Sequence, residues 1–290
     1  MRKIVLAFTA FLCLAWVPHA GAAAPANTSY GGGWLVDQPP RAEFPGHPGD
    51  ADVALRTNGD GTRATVASTL LTPCRGGTSI VEGHGRARVA DDGAFTLRSR
   101  RRSTRRGFVV DVTIRGGIEG PRATGEITGR LVHRRTGATR CDARAAWTSV
   151  VPPAQPGPPA AAPAGALLAG IVRTTRRAPF TMLLRTTPDA SAITRLLIVS
   201  QYNCRGRSGT QSFSERGGPV SPDGTFRIVN RFTVDRPAVR ERVAVRIEGR
   251  FVQGGATGTV TVTAVARRKR GGRVAYRCRS GRQGFDLAQL

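Results

Sequence analysis

Between residues 108 and 115 the chain alternates: Phe108, Val110, Val112 and Ile114 take turns with Val109, Asp111, Thr113 and Arg115. A period of two marks a strand with one face buried. The pattern returns where Val243, Val245 and Ile247 alternate with Arg242, Ala244, Arg246 and Glu248. Further strands read at 51–57, 62–72, 86–90, 94–98, 126–132 and 139–149, separated by Asn-Gly, Asp-Gly and Gly-Gly pairs that suit hairpin turns. After the leader, no stretch longer than ten residues keeps a helical period. The pattern predicts an all-β chain of antiparallel meanders, each closed as a two-sheet β-sandwich or a small barrel, with the sandwich preferred.

The landmarks between strands repeat. Leu55-Arg56-Thr57 matches Leu184-Arg185-Thr186, Cys74-Arg75-Gly76 matches Cys204-Arg205-Gly206, and Asp92-Gly93-Ala94-Phe95 matches Asp223-Gly224-Thr225-Phe226. Ala123-Thr124-Gly125 then matches Ala256-Thr257-Gly258, and Arg140-Cys141 matches Arg277-Cys278. The same order with similar gaps means two copies of one module, at 30–151 and 165–290. Residues 152–164 between them hold many prolines and no charge, which reads as a semi-rigid Pro/Ala-rich linker.

Residues 1–23 read as a Sec-type secretory signal peptide: Arg2 and Lys3, an apolar run from Ile4 to Val17, then small residues. Cys13 lies in that run and leaves with it. No second apolar run long enough to span a bilayer follows, so the expectation is a secreted chain without a transmembrane segment. An even set of four cysteines in an exported chain reads as two disulfides, and four thiols allow three pairings. Because each copy holds two at matching landmarks, the repeat selects Cys74 with Cys141 and Cys204 with Cys278. No CxxC spacing suggests zinc.

Composition changes the picture in one respect. The 290 residues include 44 Lys or Arg against 19 Asp or Glu, a formal net charge of +25. All the basic residues except Lys3 and Lys269 are arginine, and with Gly, Ala and Pro abundant this also fits an arginine-biased G+C-rich genome. The landmark order of Cys-x-Gly, D-G-x-F, A-T-G and a last Cys followed by an aromatic (Trp147, Phe285) resembles an uncharacterised secreted two-cysteine β-domain of hypothetical proteins from G+C-rich Gram-positive bacteria. The resemblance implies a fold and an extracellular address, and no chemistry.

Candidates for chemistry are few. His47, His84 and His133 are the histidines after the leader, and none sits in a catalytic motif. His84, within Gly83-His84-Gly85, reads as a solvated turn residue with a lesser reading as a base or ligand. Glu119 and Glu126 have the chemistry of a glycosidase acid pair, but the second copy has Val252 and Thr259 at those places. Asp91, Asp92 and Asp223 read as turn formers beside glycine, with too few oxygens for calcium. No metal or cofactor is expected. Trp147 is expected in the core beside the disulfide, and Trp34 stays open as a sugar-stacking ring.

The clusters Arg100, Arg101, Arg102, Arg105, Arg106 and Arg267, Arg268, Lys269, Arg270 are the strongest signal. Guanidinium groups crowded on loop tips attract phosphate or sulfate polymers with salt-sensitive affinity. The sequence therefore points to a non-enzymatic binding or structural protein for an anionic cell-wall polymer or anionic membrane surface. Specific nucleic-acid reading is not expected, since no aromatics interleave with the clusters. Two alternatives stay open: a small-molecule carrier with a hollow barrel, and an extracellular hydrolase.

Overall fold

The computed structural model describes residues 24–36, 49–74, 77–103, 107–173, 180–204, 207–235 and 238–290. The leader, His47, Arg105 and Arg106 lie outside the described residues. The first half contributes β1 (Ser29–Trp34), β2 (Ala51–Thr57), β3 (Arg63–Cys74), β4 (Gly77–Arg88), β5 (Ala94–Arg102), β6 (Phe108–Glu119), β7 (Arg122–His133) and β8 (Thr139–Val150). The second contributes β9 (Leu167–Val172), β10 (Phe180–Thr186), β11 (Ile193–Cys204), β12 (Arg207–Arg216), β13 (Thr225–Asp235), β14 (Val239–Val252), β15 (Gly255–Arg268), β16 (Val274–Arg279) and β17 (Gln283–Gln289). No helix occurs among the described residues.

Each half is one antiparallel meander, in the order β4-β3-β2-β1-β8-β7-β6-β5 and β12-β11-β10-β9-β17-β15-β14-β13. The outer strands meet at a single bridge, Val89 with Phe95 in the first half and Val220 with Phe226 in the second. The sheet thus follows the chain around almost to closure. Because β1 and β2 are short, β3 runs past them and pairs directly with β8 at Cys74–Cys141. The result is a flattened, nearly closed barrel with the two packed faces of a sandwich. Both expected disulfides are present, Cys74–Cys141 and Cys204–Cys278, spanning 67 and 74 residues. In the second half the last strand is interrupted at Ser280, leaving β16 to carry the cysteine and β17 the aromatic.

The repeated landmarks have physical roles. The Thr57 and Thr186 hydroxyls accept from the backbone N–H groups of Thr28 and Ala166, each at 2.8 Å, and donate to the carbonyls of Pro25 and Pro163. They pin the chain entering each module. Asp92 and Asp223 accept from the N–H of Ala94 and Thr225 and close the turn in which Gly93 and Gly224 take φ near 80°. The A-T-G glycine leaves room for an aromatic ring. A Cβ on Gly125 would lie 2.7 Å from Trp147, and one on Gly258 would lie 2.6 Å from Phe285. Trp147 is buried as expected, but it packs on Phe95, Gly116 and Gly125, well along β8 from the disulfide.

Both interiors are filled, by Leu70, Val81, Val112, Ile114, Ile127 and Trp147 in one module and by Met182, Ile198, Ile247, Phe251, Val260 and Phe285 in the other. A hollow barrel is therefore not what these side chains build. The Pro-rich segment, read from the sequence as a spacer, is seated on the second module: Gln253 N–H donates to Pro158 O and Ala160 N–H to Phe251 O.

The two modules share a buried contact. A third apolar cluster joins Leu35 and Val150 to Ala169, Leu183 and Leu197. At Gly31 a Cβ would lie 2.1 Å from the carbonyl oxygen of Gly170, so the absence of a side chain lets β1 approach β9 at backbone distance. Arg195 of β11, fully buried, pairs with the equally buried Asp50 and donates to the Val36 carbonyl, while Val36 N–H donates to Asp50 Oδ1 at 3.0 Å.

Two stability outcomes follow from these ties. Replacing Cys74 and Cys141 together by Ser should cost about 2–5 kcal/mol, read by denaturant unfolding. Arg195→Ala strands a buried carboxylate and should cost about 3–5 kcal/mol, whereas Arg195→Met with Asp50→Leu should recover most of that loss.

Candidate functional site

Expected on loops between strands, the basic clusters sit instead largely in strands toward one end of each module: Arg100, Arg101 and Arg102 are the last residues of β5, and Arg267 and Arg268 end β15, with Lys269 and Arg270 on the turn that follows. The β3–β4, β5–β6 and β7–β8 turns share an end, and Arg134 N–H donates to the Gly107 carbonyl across the last two. Arg100, Arg102, Arg134, Arg135 and Arg140 are exposed there, with Arg140 over the Phe108 ring at 5.6 Å. The second module repeats the arrangement: Lys269 N–H donates to the Ala238 carbonyl, and Arg267, Arg268, Lys269, Arg270 and Arg273 are exposed. Among the described residues three cluster members have acidic neighbours, Arg100 standing directly across the β5–β6 ladder from Asp111. Arg101 pairs with Glu82 at 3.0 Å, and Lys269 lies 3.6 Å from Asp235. Asp60, Asp91, Asp92 and Glu119 sit on turns at the opposite end of the first module, and Asp189 and Asp223 at the opposite end of the second. Exposed Arg56, Arg63, Arg88 and Arg122 stand at that same end of the first module, and Arg216 and Arg250 at that of the second, so the charges there are mixed and the positive excess lies at the first end.

The candidate acid pair is not assembled. Glu126 lies within β7 and pairs with Arg144, and Glu119 ends β6 on the surface. His84 is a strand residue paired with Ala67 of β3, not a turn residue. Its flanking glycines face inward, where a Cβ on Gly83 would meet Val112 and one on Gly85 would meet Leu97, each at 2.8 Å. Small residues were needed there for packing, and the same glycines had suggested a loop. His133 stacks edge-on against Phe108 with ring centroids 5.2 Å apart. Trp34 is 41% exposed at the end of β1. Among the described residues no three His, Cys, Asp or Glu side chains come together as a metal site, and no helix is long and apolar enough to cross a membrane.

A second region was not visible in the sequence. A cleft of about 610 Å³ lies between the modules, walled by β2, β3 and β4 on one side and by Phe180, Thr181 and Val199 on the other. Strand register sets its rows. Asp52, Thr69 and Glu82 stand abreast on the outer face of three neighbouring strands, and Ala54, Ala67 and His84 form the next row. Arg101 reaches across the β4–β5 seam and holds both Glu82 and His84. Of the two carboxylates Asp52 is the buried one, 3% exposed. Desolvation pushes its carboxyl from the usual 3.8 up to about 8, and the Glu82 charge adds to this. The Thr69 hydroxyl and N–H and the nearby Thr181 hydroxyl pull the other way. Thr181 approaches without closing a well-formed bond: Asp52 Oδ2 and Thr181 Oγ1 are buried with no hydrogen-bond partner among the described residues.

No family model matches the chain, and no curated protein matches it. Among solved structures the chain is similar to kievitone hydratase from Nectria haematococca, at 9% identity and a TM-score of 0.20, covering 93% of this chain and 90% of that one. A likeness of that size carries no argument about fold or activity.

Asp52 gives a pH signature. Since folding raises its pKa, the folded chain keeps a proton between about pH 4 and 8 that the unfolded chain releases. That contribution is whole below about pH 4 and is lost as pH rises through about 8, a fall on the order of a few kcal/mol. Urea unfolding from pH 5 to 9 should show this slope in the native chain and its flattening in Asp52→Asn. The exposed Asp60, Asp189 and Asp223, held below the usual carboxylate range by turn hydrogen bonds, act at acid pH and cancel in the comparison.

Proposed function

We propose that the protein is a secreted, non-catalytic binding protein that attaches to anionic envelope polymers through the basic end of its modules. The observation that carries this reading is the convergence of exposed arginines from separate turns. Arg100 and Arg102 on β5, Arg134 and Arg135 on the β7–β8 turn, and Arg140 on β8 reach one end of the first module, while at the other end Arg56, Arg63, Arg88 and Arg122 are matched by Asp60, Asp91, Asp92 and Glu119. Two disulfides and a filled all-β core fit an extracellular address, where wall polymers offer closely spaced phosphates. Arg101 is the member least suited to the task, because Glu82 and His84 already hold it. The remaining arginines offer planar, permanently charged donors matched to phosphate.

The test is retention on immobilised heparin and on wall polymer across a salt gradient. The native chain should be held at low salt and released as salt rises, with affinity falling by about one power of the salt concentration for each phosphate contacted. Changing Arg100, Arg102, Arg134 and Arg135 to Gln should move elution to markedly lower salt, while Arg144→Gln on the strand face leaves it nearly unchanged. Passage of the native chain through both columns at low salt would remove the reading.

A further inference from the structure

We propose that the cleft between the modules is a binding site for a small, uncharged, mainly apolar molecule carrying one carbonyl or hydroxyl oxygen. The site is separate from the basic ends, and neither reading depends on the other.

The cleft is a product of the duplication. Counted from the shared Leu-Arg-Thr landmark, Asp52 of the first copy corresponds to Thr181 of the second, and these two positions meet in the cleft. The copies thus pack against each other through equivalent strands, β1 on β9 and β2 on β10, in the manner of a self-complementary dimer joined into one chain. The same correspondence makes Ala54 the counterpart of Leu183 and, counted from the cysteine landmark, Ala67 the counterpart of Leu197. On the second module those leucines are buried in the shared apolar cluster with Leu35. On the first module the alanines line open space. Where one copy fills the contact with isobutyl groups, the other keeps methyl groups, and the cleft is the room left by the difference.

What faces that room selects its occupant. Ala54, Ala67, Phe180 and Val199 supply an apolar floor. At its base Asp52 and Thr181 stand close enough for the Thr181 hydroxyl to act on the carboxyl, yet Asp52 Oδ2 and Thr181 Oγ1 are buried without a well-formed hydrogen bond among the described residues. Leaving such groups unpaired costs about 1–3 kcal/mol each, and a ligand oxygen seated between them would relieve that cost. The charged groups facing Asp52 lie on the rim: Glu82 on its own row, then His84, Arg86 and Arg101. Glu82 opposes an anion, and Arg86 and Arg101 oppose a cation, so neither charge gains by going to the bottom of the cleft. A protonated Asp52 presents an O–H donor there, matched to a carbonyl or hydroxyl acceptor. The volume is within the range of small-molecule sites and suits a body of one or two rings.

Benzophenone is a fitting probe, being two uncharged rings about a single carbonyl and photoreactive toward neighbouring C–H bonds. Equilibrium dialysis with the full chain should show saturable binding of one molecule per chain. Irradiation followed by peptide mapping should place the label on peptides containing Ala54, Thr65 to Thr69 or Phe180 to Thr181. Ala54→Leu with Ala67→Leu installs the residues of the sister module and should weaken binding tenfold or more. Asp52→Leu should weaken it severalfold, while Asp52→Asn, which keeps a donor, stays within about threefold. Absence of saturable binding, label spread over other surfaces, or an affinity indifferent to the two leucines would each overturn the proposal. The map on the native chain decides even where a variant fails to fold.

Discussion

A meander of strands leaves two open edges, and an exposed edge is a row of unpaired backbone groups that other chains can join. Each module meets this constraint by bringing its first strand beside its last and curling until the outer strands touch at the Val89–Phe95 and Val220–Phe226 bridges. Those bridges are single. The seam in the first module is completed by side chains, with Arg101 of β5 gripping Glu82 and His84 of β4. At the far end the disulfide draws β3 onto β8 where the shorter strands stop. Closure thus explains why an arginine from a basic cluster is tied to an acidic partner, and why the cysteines belong to the third and last long strands.

Closing each module on itself leaves its outer face to be covered, and the second copy does this for the first. The cover is tight at β1 and β9, where glycine brings backbones together, and it buries Arg195 with Asp50. It is loose at β2 to β4, where alanine stands opposite Phe180 and Val199. Asp52 sits between the two regimes. Its unusual carboxyl is a consequence of being roofed by a neighbouring module, not of anything in its own strand. The pairing of halves is what buries this carboxyl.

The parts that could be read from the sequence are those whose cause is local or repeated. Alternation marked β6 and β14, Asp-Gly marked the turns, and the duplicated cysteines marked both bridges. The landmark pattern also contained more than it showed: Thr57 and Thr186 clamp the entering chain, and Gly125 and Gly258 make room for rings. The strand β1 was hidden because Gly31, Gly32 and Gly33 have no hydrophobic period, their purpose being close approach. His84 was misplaced because glycines that serve packing look like glycines that serve turns. Asp52 and the cleft were hidden for a stronger reason. Their neighbours come from three strands and a second module, and no spacing along the chain reports that.

The arginine excess invites two explanations, codon bias and selection for charge, and the fold bears on the choice by position. Bias adds arginine wherever a surface tolerates it, and many do sit on strand faces: Arg144 against Glu126, Arg130 against Asp111, Arg246 against Glu248. In such pairs the acid is on hand and the field of each charge is largely cancelled nearby. At the β7–β8 and β15–β16 turns the arginines are consecutive, exposed and outnumber the acids beside them. Like charges placed side by side on a turn repel one another, so they weaken the turn unless an external anion relieves them. That unrelieved positive charge at the same end of both copies is the feature on which the proposed attachment to anionic polymers rests.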